Sequence, residues 1–307
     1  MSATAASQAV DSHEFVPRPP SYLDSLLSNS RIREVAFGGF RIQIESCEPF
    51  QFMRVRVPGA GVLDAETYHD AVYGCYQALG GLIRQENLHP VRFWNYLPGI
   101  LREHPDGRSG YEIFNAGRFN ALQDLYGRMA PEKLAVASAV GGAGEDLNVH
   151  VLASSQAAQP VANPRQLAPH EYSKRYGPLP PVFARACVLA STGRALLGRS
   201  ALVAGTASIV GEHTLHRGQL DRQLDEVSLN LASLSNALAG TQVLSMPEAL
   251  ARYRDLRVYV PNQLDKSEVL TWLQNTFSEV SHAEFVHADL CRSDLHVEVE
   301  GTLNFAV

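Results

Sequence analysis

Cysteine is scarce in this chain of 307 residues, and none of Cys47, Cys75, Cys187 and Cys291 forms a C-x-x-C pair. That spacing excludes a zinc ribbon or a thioredoxin-type centre, and four cysteines are too few for a disulfide scaffold. Apolar runs are short. No stretch approaches the roughly 18 residues of a membrane-spanning helix, so no membrane partner is expected. Positive charge is in deficit, with 26 Lys+Arg against 32 Asp+Glu and a net charge of −6. This argues against a nucleic-acid partner, which calls for a basic face. It leaves room for a small anionic ligand, because a few converging arginines override a mildly negative global field inside a pocket.

Familiar catalytic signatures are missing as well. GGAG at 141–144 lacks the Lys-Ser/Thr of a phosphate loop and reads as a turn. GTASI at 205–209 is not a nucleophile elbow. His213 and His216 offer two metal ligands with no third nearby, so no metal is expected there. The opening MSATAASQAVDSHEFVPRPP has no basic segment followed by an apolar one. No signal peptide is read there, and the expected location is cytoplasmic.

What is present is the composition of a globular protein, 45% hydrophobic and 19% charged. The length suits two domains or one large one. Residues 1–30 read as a loose N-terminal arm. Segments 34–46, 51–57 and 91–98 read as strands, and the helical spacing of Tyr68, Val72, Tyr76, Leu79, Leu82 and Ile83 predicts a helix from Asp64, its cap, to Glu86. A shorter helix is expected over 115–129. The runs 134–140 and 147–154 read as a hairpin around GGAGED. Six prolines between 155 and 181 mark an extended connector.

The order then repeats. Strands are expected at 183–191, 201–209, 256–261, 284–290 and 295–301, with helices over 218–239 and 267–277, the latter capped by Ser267. Each half runs from a long amphipathic helix to a strand ending in proline, containing Arg92 in one and Arg257 in the other. The expected fold is α+β, with domains at 31–154 and 182–307, each a mixed sheet carrying two helices on one face. The open face of such a sheet needs a second subunit or domain to cover it.

Arginine carries the chemical signal. Arg118, Arg165 and Arg185 each sit in a segment poor in charge. A guanidinium in apolar surroundings must be paired or face a polar cavity. Pairing within the chain and gripping a ligand carboxylate are both open readings. In the last strand Glu298 and Glu300 alternate with Val297 and Val299, which puts both glutamates on one face. On a solvated face they are inert; in a cleft, a carboxyl with raised proton affinity can serve as a general acid.

Two resemblances bear on these readings. The second half, through GTASIVGEHTLHRGQLDRQLDEVSLNL, DLRVYVPN and DLHVEVEG, resembles the RidA/YjgF family of small trimeric proteins. That family's site glutamate falls on Glu298, while its substrate-gripping arginine falls on Ala283, a departure from the imine-hydrolysing pattern. Nearly everything after residue 30 resembles the chorismatases, two-domain relatives of RidA, through RFWNYLPGI, YEIFNAGRFNAL, NPRQ, YGPLPPVFARA, GTASIVGE and the pairing of Cys291 with Glu298. The resemblance implies two RidA/YjgF-like domains, a homotrimer, no cofactor, and chorismate as substrate.

It further implies Arg118, Arg165, Arg185, Tyr176 and Thr206 as substrate-binding residues. Glu298 would be the acid that protonates the enolpyruvyl methylene, with Cys291 and Ala207 shaping the outcome. Aromatising branches resemble this chain in carrying a cysteine at 291, and the dedicated 3-hydroxybenzoate branch has Gly where Ala207 stands. Cys with Ala fits the branch that makes both 3- and 4-hydroxybenzoate through an arene oxide, feeding pigment and ubiquinone synthesis. The alternatives are a hydrolytic chorismatase that gives a dihydroxycyclohexadiene carboxylate, and a RidA-like imine-clearing or metabolite-binding protein.

Overall fold

The computed structural model describes residues 18–127, 133–189, 200–240 and 242–304. A short helix α1 (Asp24–Leu27) leads into strands β1 (Arg31–Phe37) and β2 (Phe40–Cys47). These were expected as one strand. Gly38 and Gly39, with φ of 58° and 85°, instead make a two-residue turn, the conformation that matches strand twist in a hairpin. Next come β3 (Phe50–Val57) and α2 (Ala65–Gln85). Asp64 caps α2 as expected, accepting from the backbone N–H of Glu66 and Thr67.

The first half closes with β4 (His89–Leu97), α3 (Gly110–Tyr126), β5 (Val136–Gly141) and β6 (Leu147–Ser154). Helix α3 begins five residues before its expected start, fixed by a Ser109–Glu112 capping box. Its pattern is poorly amphipathic because Asn115 and Arg118 are buried along with its apolar residues.

The first sheet runs β1-β2-β3-β6-β4-β5. The hairpin expected between the fifth and sixth strands does not form. β4 lies between them, parallel to β5 and antiparallel to β6. A strand–helix–strand crossover over α3 places β5 at the edge, and local alternation of apolar residues cannot reveal that.

The second half contains β7 (Gln159–Val161), β8 (Ala186–Val188), β9 (Ser200–Thr206), β10 (Ile209–Val210), β11 (His213–Thr214), α4 (Leu220–Ala239), α5 (Met246–Leu250), β12 (Tyr253–Val260), α6 (Lys266–Thr276), β13 (His282–His287) and β14 (Glu298–Asn304). Its sheet runs β7-β8-β9-β14-β12-β13. Read from the outer edge this is the order of the first sheet, with β12 and β13 parallel as β4 and β5 are. The duplication expected from the sequence is therefore present in the topology. Arg92 and Arg257 lie on the corresponding strands β4 and β12. One edge strand, β7, comes from the segment read as a connector. Ser267 lies inside α6 and is not its cap.

Three apolar clusters give the layering. The first packs α2 and α3 on one face of the first sheet, and another packs α4 and α6 on one face of the second. The third lies between the sheets, joining Phe52, Trp94 and Leu152 to Leu202, Ala204 and Tyr259. Each sheet thus meets the other across its second face, which removes the reason for requiring another subunit there. The arm is not loose over its described part. Tyr22, Leu23, Leu26 and Leu27 enter the same cluster, and the Arg18 carbonyl accepts from Arg257 Nη2 at 3.1 Å.

Candidate active site

The seam between the sheets carries buried charge. Glu300 on β14 is fully buried and fully partnered. Its carboxylate accepts from Arg92 Nη2 at 2.7 Å, from Trp94 Nε1 at 2.8 Å and from the Ser138 hydroxyl on β5. Glu298, two residues earlier, projects from the same face, while Val297 and Val299 join the helix-side core. Its carboxyl takes no hydrogen bond among the described residues. Burial, reinforced by the negative charge of Glu300 and opposed by Arg185 and Arg92, pushes its pKa up to about 8. At neutral pH this group is a buried, protonated acid.

Glu298 opens into a cavity of about 190 Å³ lined from both halves: α3, β5, the 172–185 segment, β9 and the turn before β14. Gly205 is required here, because a Cβ at that position would collide with Glu298 Oε1. Gly205→Ala should therefore displace the acid and lower turnover at least tenfold with little change in melting temperature, read by steady-state kinetics beside thermal denaturation.

Cationic groups surround the acid. Arg118 of α3 is 2% exposed and has no carboxylate partner among the described residues. Its guanidinium sits over the Tyr76 and Phe93 rings at 5.4 and 5.7 Å, and its Nε lacks a partner. Arg185 donates to the Tyr172 hydroxyl at 2.7 Å and to the Leu167 carbonyl at 3.2 Å, again without a carboxylate. Arg292 lies 3.9 Å from the Tyr176 ring centre and donates to the Glu212 carbonyl at 2.9 Å. The Tyr176 hydroxyl and Asn115 Nδ2 are buried without hydrogen-bond partners among the described residues. Buried cations lacking counter-ions, beside unfilled hydrogen-bonding groups, are the complement of an anionic, oxygen-rich ligand.

Of the expected site residues, Glu298, Cys291, Ala207, Arg118, Tyr176 and Arg185 all line this cavity. Burial pushes the Cys291 thiol up to about 12, with Glu298 adding to the shift, which favours the neutral thiol over the thiolate. Two expected residues are elsewhere. Arg165 pairs with Glu226 of α4 and donates to Asn230 Oδ1 at 2.9 Å; pairing within the chain is the reading that holds for it. Thr206 is buried and returns its hydroxyl to the Ala204 carbonyl at 3.0 Å. Its neighbours Gly205 and Ala207 line the cavity instead.

The sequence reading missed Arg292, Tyr172, Tyr111, Asn115 and Ser138, which also line it. Arg292 adjoins Cys291, and Asn115 lies three residues before Arg118 on one helix face, a spacing that could have flagged both. His213 lies on β11 and His216 follows in a turn with φ 55°, so the two share no helix face. Among the described residues no cluster of three or more His, Cys, Asp or Glu side chains could hold a metal, and no helix is long and apolar enough to cross a membrane.

Comparison with known proteins decides the family. Residues 26–153 match the family model for the N-terminal part of FkbO/Hyg5-like chorismatases. A chorismatase of Streptomyces rapamycinicus is 36% identical over 257 residues, covering 83% of this chain and 74% of that protein. The chain belongs to the chorismatase family. A second relative, a 3-hydroxybenzoate synthase of Streptomyces hygroscopicus, is 31% identical over 82% of this chain and 73% of its own length. The fold agrees: a chorismatase crystal structure at 1.08 Å resolution superposes with a TM-score of 0.75 at 30% identity, covering 86% of this chain and 77% of that one. The protein is an enzyme of this family, and its two-sheet architecture is the family's.

Proposed function

We propose that this chorismatase converts chorismate to 3-hydroxybenzoate and 4-hydroxybenzoate with release of pyruvate. The observation that carries the reading is a buried carboxyl with a pKa raised to about 8, facing a cavity whose arginines Arg118 and Arg185 have no carboxylate partner among the described residues. Chorismate carries two carboxylates, one on the ring and one on the enolpyruvyl ether. The guanidinium groups of Arg118, Arg185 and Arg292 supply the charge to hold them, and the Tyr176 hydroxyl and Asn115 amide supply further donors.

Catalysis begins when Glu298 delivers its proton to the terminal methylene of the enolpyruvyl group. The side chain becomes an oxocarbenium ion. Its bond to ring C3 then breaks, the bonding pair moves to the ether oxygen, and pyruvate leaves with a methyl group. The C4 hydroxyl attacks C3 as that bond breaks, and its proton returns to the Glu298 carboxylate, so the acid is regenerated. The resulting 3,4-arene oxide opens at C4–O to leave oxygen on C3, or at C3–O to leave it on C4. Loss of a ring proton restores aromaticity in either case. A preorganised cationic wall and a dry acid are what this sequence requires.

The Cys291 side chain and the Ala207 methyl line the cavity that Glu298 faces, and we read them as bulk that keeps water from the reacting carbon. That supports internal attack over hydrolysis. Chromatography of the products from pure chorismate tests the reading: two hydroxybenzoates with one pyruvate each are expected, and a non-aromatic diene as the main product would move the enzyme to the hydrolytic branch. Cys291→Ala opens space at the wall and should raise the diene fraction several-fold while pyruvate release continues; an unchanged product ratio would remove Cys291 from product control.

A further inference from the structure

The Arg92–Glu300 pair lies outside the cavity lining, yet it connects to the acid by a continuous set of contacts. Arg92 on β4 donates through Nη2 to the Ser138 hydroxyl at 2.7 Å and through Nη1 to the Val203 carbonyl of β9 at 2.6 Å. The Ser138 hydroxyl donates to Glu300 and accepts from the Gly205 backbone N–H at 3.2 Å. Gly205 is the residue whose missing side chain makes room for Glu298. Four strands from two sheets, β4 and β5 of the first and β9 and β14 of the second, are thus tied together at the point where the acid needs clearance.

We propose that Glu300 and Ser138 are positioning residues for the acid: the Arg92–Glu300 pair, bridged through the Ser138 hydroxyl to the Gly205 backbone, holds β9 at the spacing Glu298 requires and sets the local field at its carboxyl. This rests on Glu298 being the proton donor. A carboxylate two residues along the same strand face disfavours a second negative charge, so Glu300, held by Arg92 and Trp94, raises the proton affinity of Glu298. The other titratable or charged groups facing Glu298 are Arg92 from β4, Arg185 from the segment before β8, Cys291 and Arg292 from the turn before β14, Arg118 from α3 across the cavity, and Tyr259, its cross-strand partner on β12. Among the charges, Glu300 acts on Glu298 more strongly than Arg185 or Arg92 does. Removing the Arg92–Glu300 pair as a unit therefore leaves Glu298 easier to ionise.

The test is the alkaline limb of the kcat–pH profile. Glu300→Gln should move that limb down by roughly one pH unit. The double variant Arg92→Met with Glu300→Gln should move it down by less, and it carries no unpaired buried charge, so it stays folded if the single variant does not. Ser138→Ala keeps the ion pair but frees the Gly205 N–H; kcat should fall about tenfold with KM nearly unchanged. A limb that stays at its parent position in the folded double variant, together with parent kcat in Ser138→Ala, overturns the inference. Full activity in Glu298→Gln would instead overturn the proton-donor reading beneath it, so the two failures are distinguishable.

Discussion

Glu298→Gln should fold as the parent does and lose turnover by about two to four orders of magnitude, the usual contribution of a positioned general acid. The amide matches the carboxyl in shape and, like the protonated acid, is neutral in a buried site. Packing against Gly205 is retained and only the transferable proton is lost. KM for chorismate should change little if, as proposed, the arginines and not Glu298 hold the carboxylates.

A pH dependence accompanies this. The Glu298 pKa rises from an ordinary 4.5 to about 8, so its neutral form is favoured in the folded state. Turnover should be level near neutrality and fall as pH rises through about 8. Stability carries the same sign: the contribution of the neutral acid is complete below about 4.5 and is lost as pH climbs to about 8. Melting curves of the parent and Glu298→Gln should therefore diverge towards alkaline pH, with the amide variant the less pH-sensitive of the two. An alkaline limb that persists unchanged in the residual activity of Glu298→Gln would assign it to another group.

Arg118→Ala should weaken chorismate binding by about 2–5 kcal/mol, the range for truncating one partner of a buried charge pair, and so raise KM at least thirtyfold. The contrast is with Arg165. Both are arginines in stretches of sequence poor in charge, but Arg165 pairs with Glu226 within the protein, whereas Arg118 rests on two aromatic rings with no anionic partner among the described residues. Removing Arg118 from the free enzyme deletes an uncompensated buried charge and a cation–π contact worth about 0.5–2 kcal/mol, so its melting temperature should change little. Arg165→Ala strips the buried Glu226 of its guanidinium partner and leaves it the more distant His216 Nε2 at 3.7 Å; it should lower the melting temperature and leave the KM of the folded fraction close to the parent's. Calorimetry and kinetics on the two variants separate the roles, and matching behaviour would remove Arg118 from the binding site.

The same pair shows how far the sequence could be read. Residue context placed Arg118, Arg165 and Arg185 on equal terms, because the counter-charge of Arg165 lies 61 residues away on α4 and only folding brings it close. Period-2 alternation placed Glu298 and Glu300 on one face correctly. It could not say that one would be neutralised by Arg92, 208 residues distant, while the other stayed protonated. Long amphipathic helices such as α2 and α4 were legible because each buries a single stripe. Helix α3 was blurred because the face carrying Asn115 and Arg118 is itself buried. The β5–β6 hairpin was misread for a topological reason: inserting β4 between two strands leaves no local mark on either. Arg292 escaped notice because it stands in a polar stretch, where a charged residue draws no attention, and folding brings its guanidinium over Tyr176 in the cavity wall.

The central claim is that a buried acid cleaves the enolpyruvyl ether while the ring supplies its own nucleophile. Turnover of chorismate in ¹⁸O-water, with mass analysis of the ring products, tests it most directly. The account predicts one pyruvate per ring and 3- and 4-hydroxybenzoates whose hydroxyl oxygen is unlabelled, since that atom begins as the C4 hydroxyl of the substrate. Label in the ring hydroxyl, or no pyruvate at all, would contradict it.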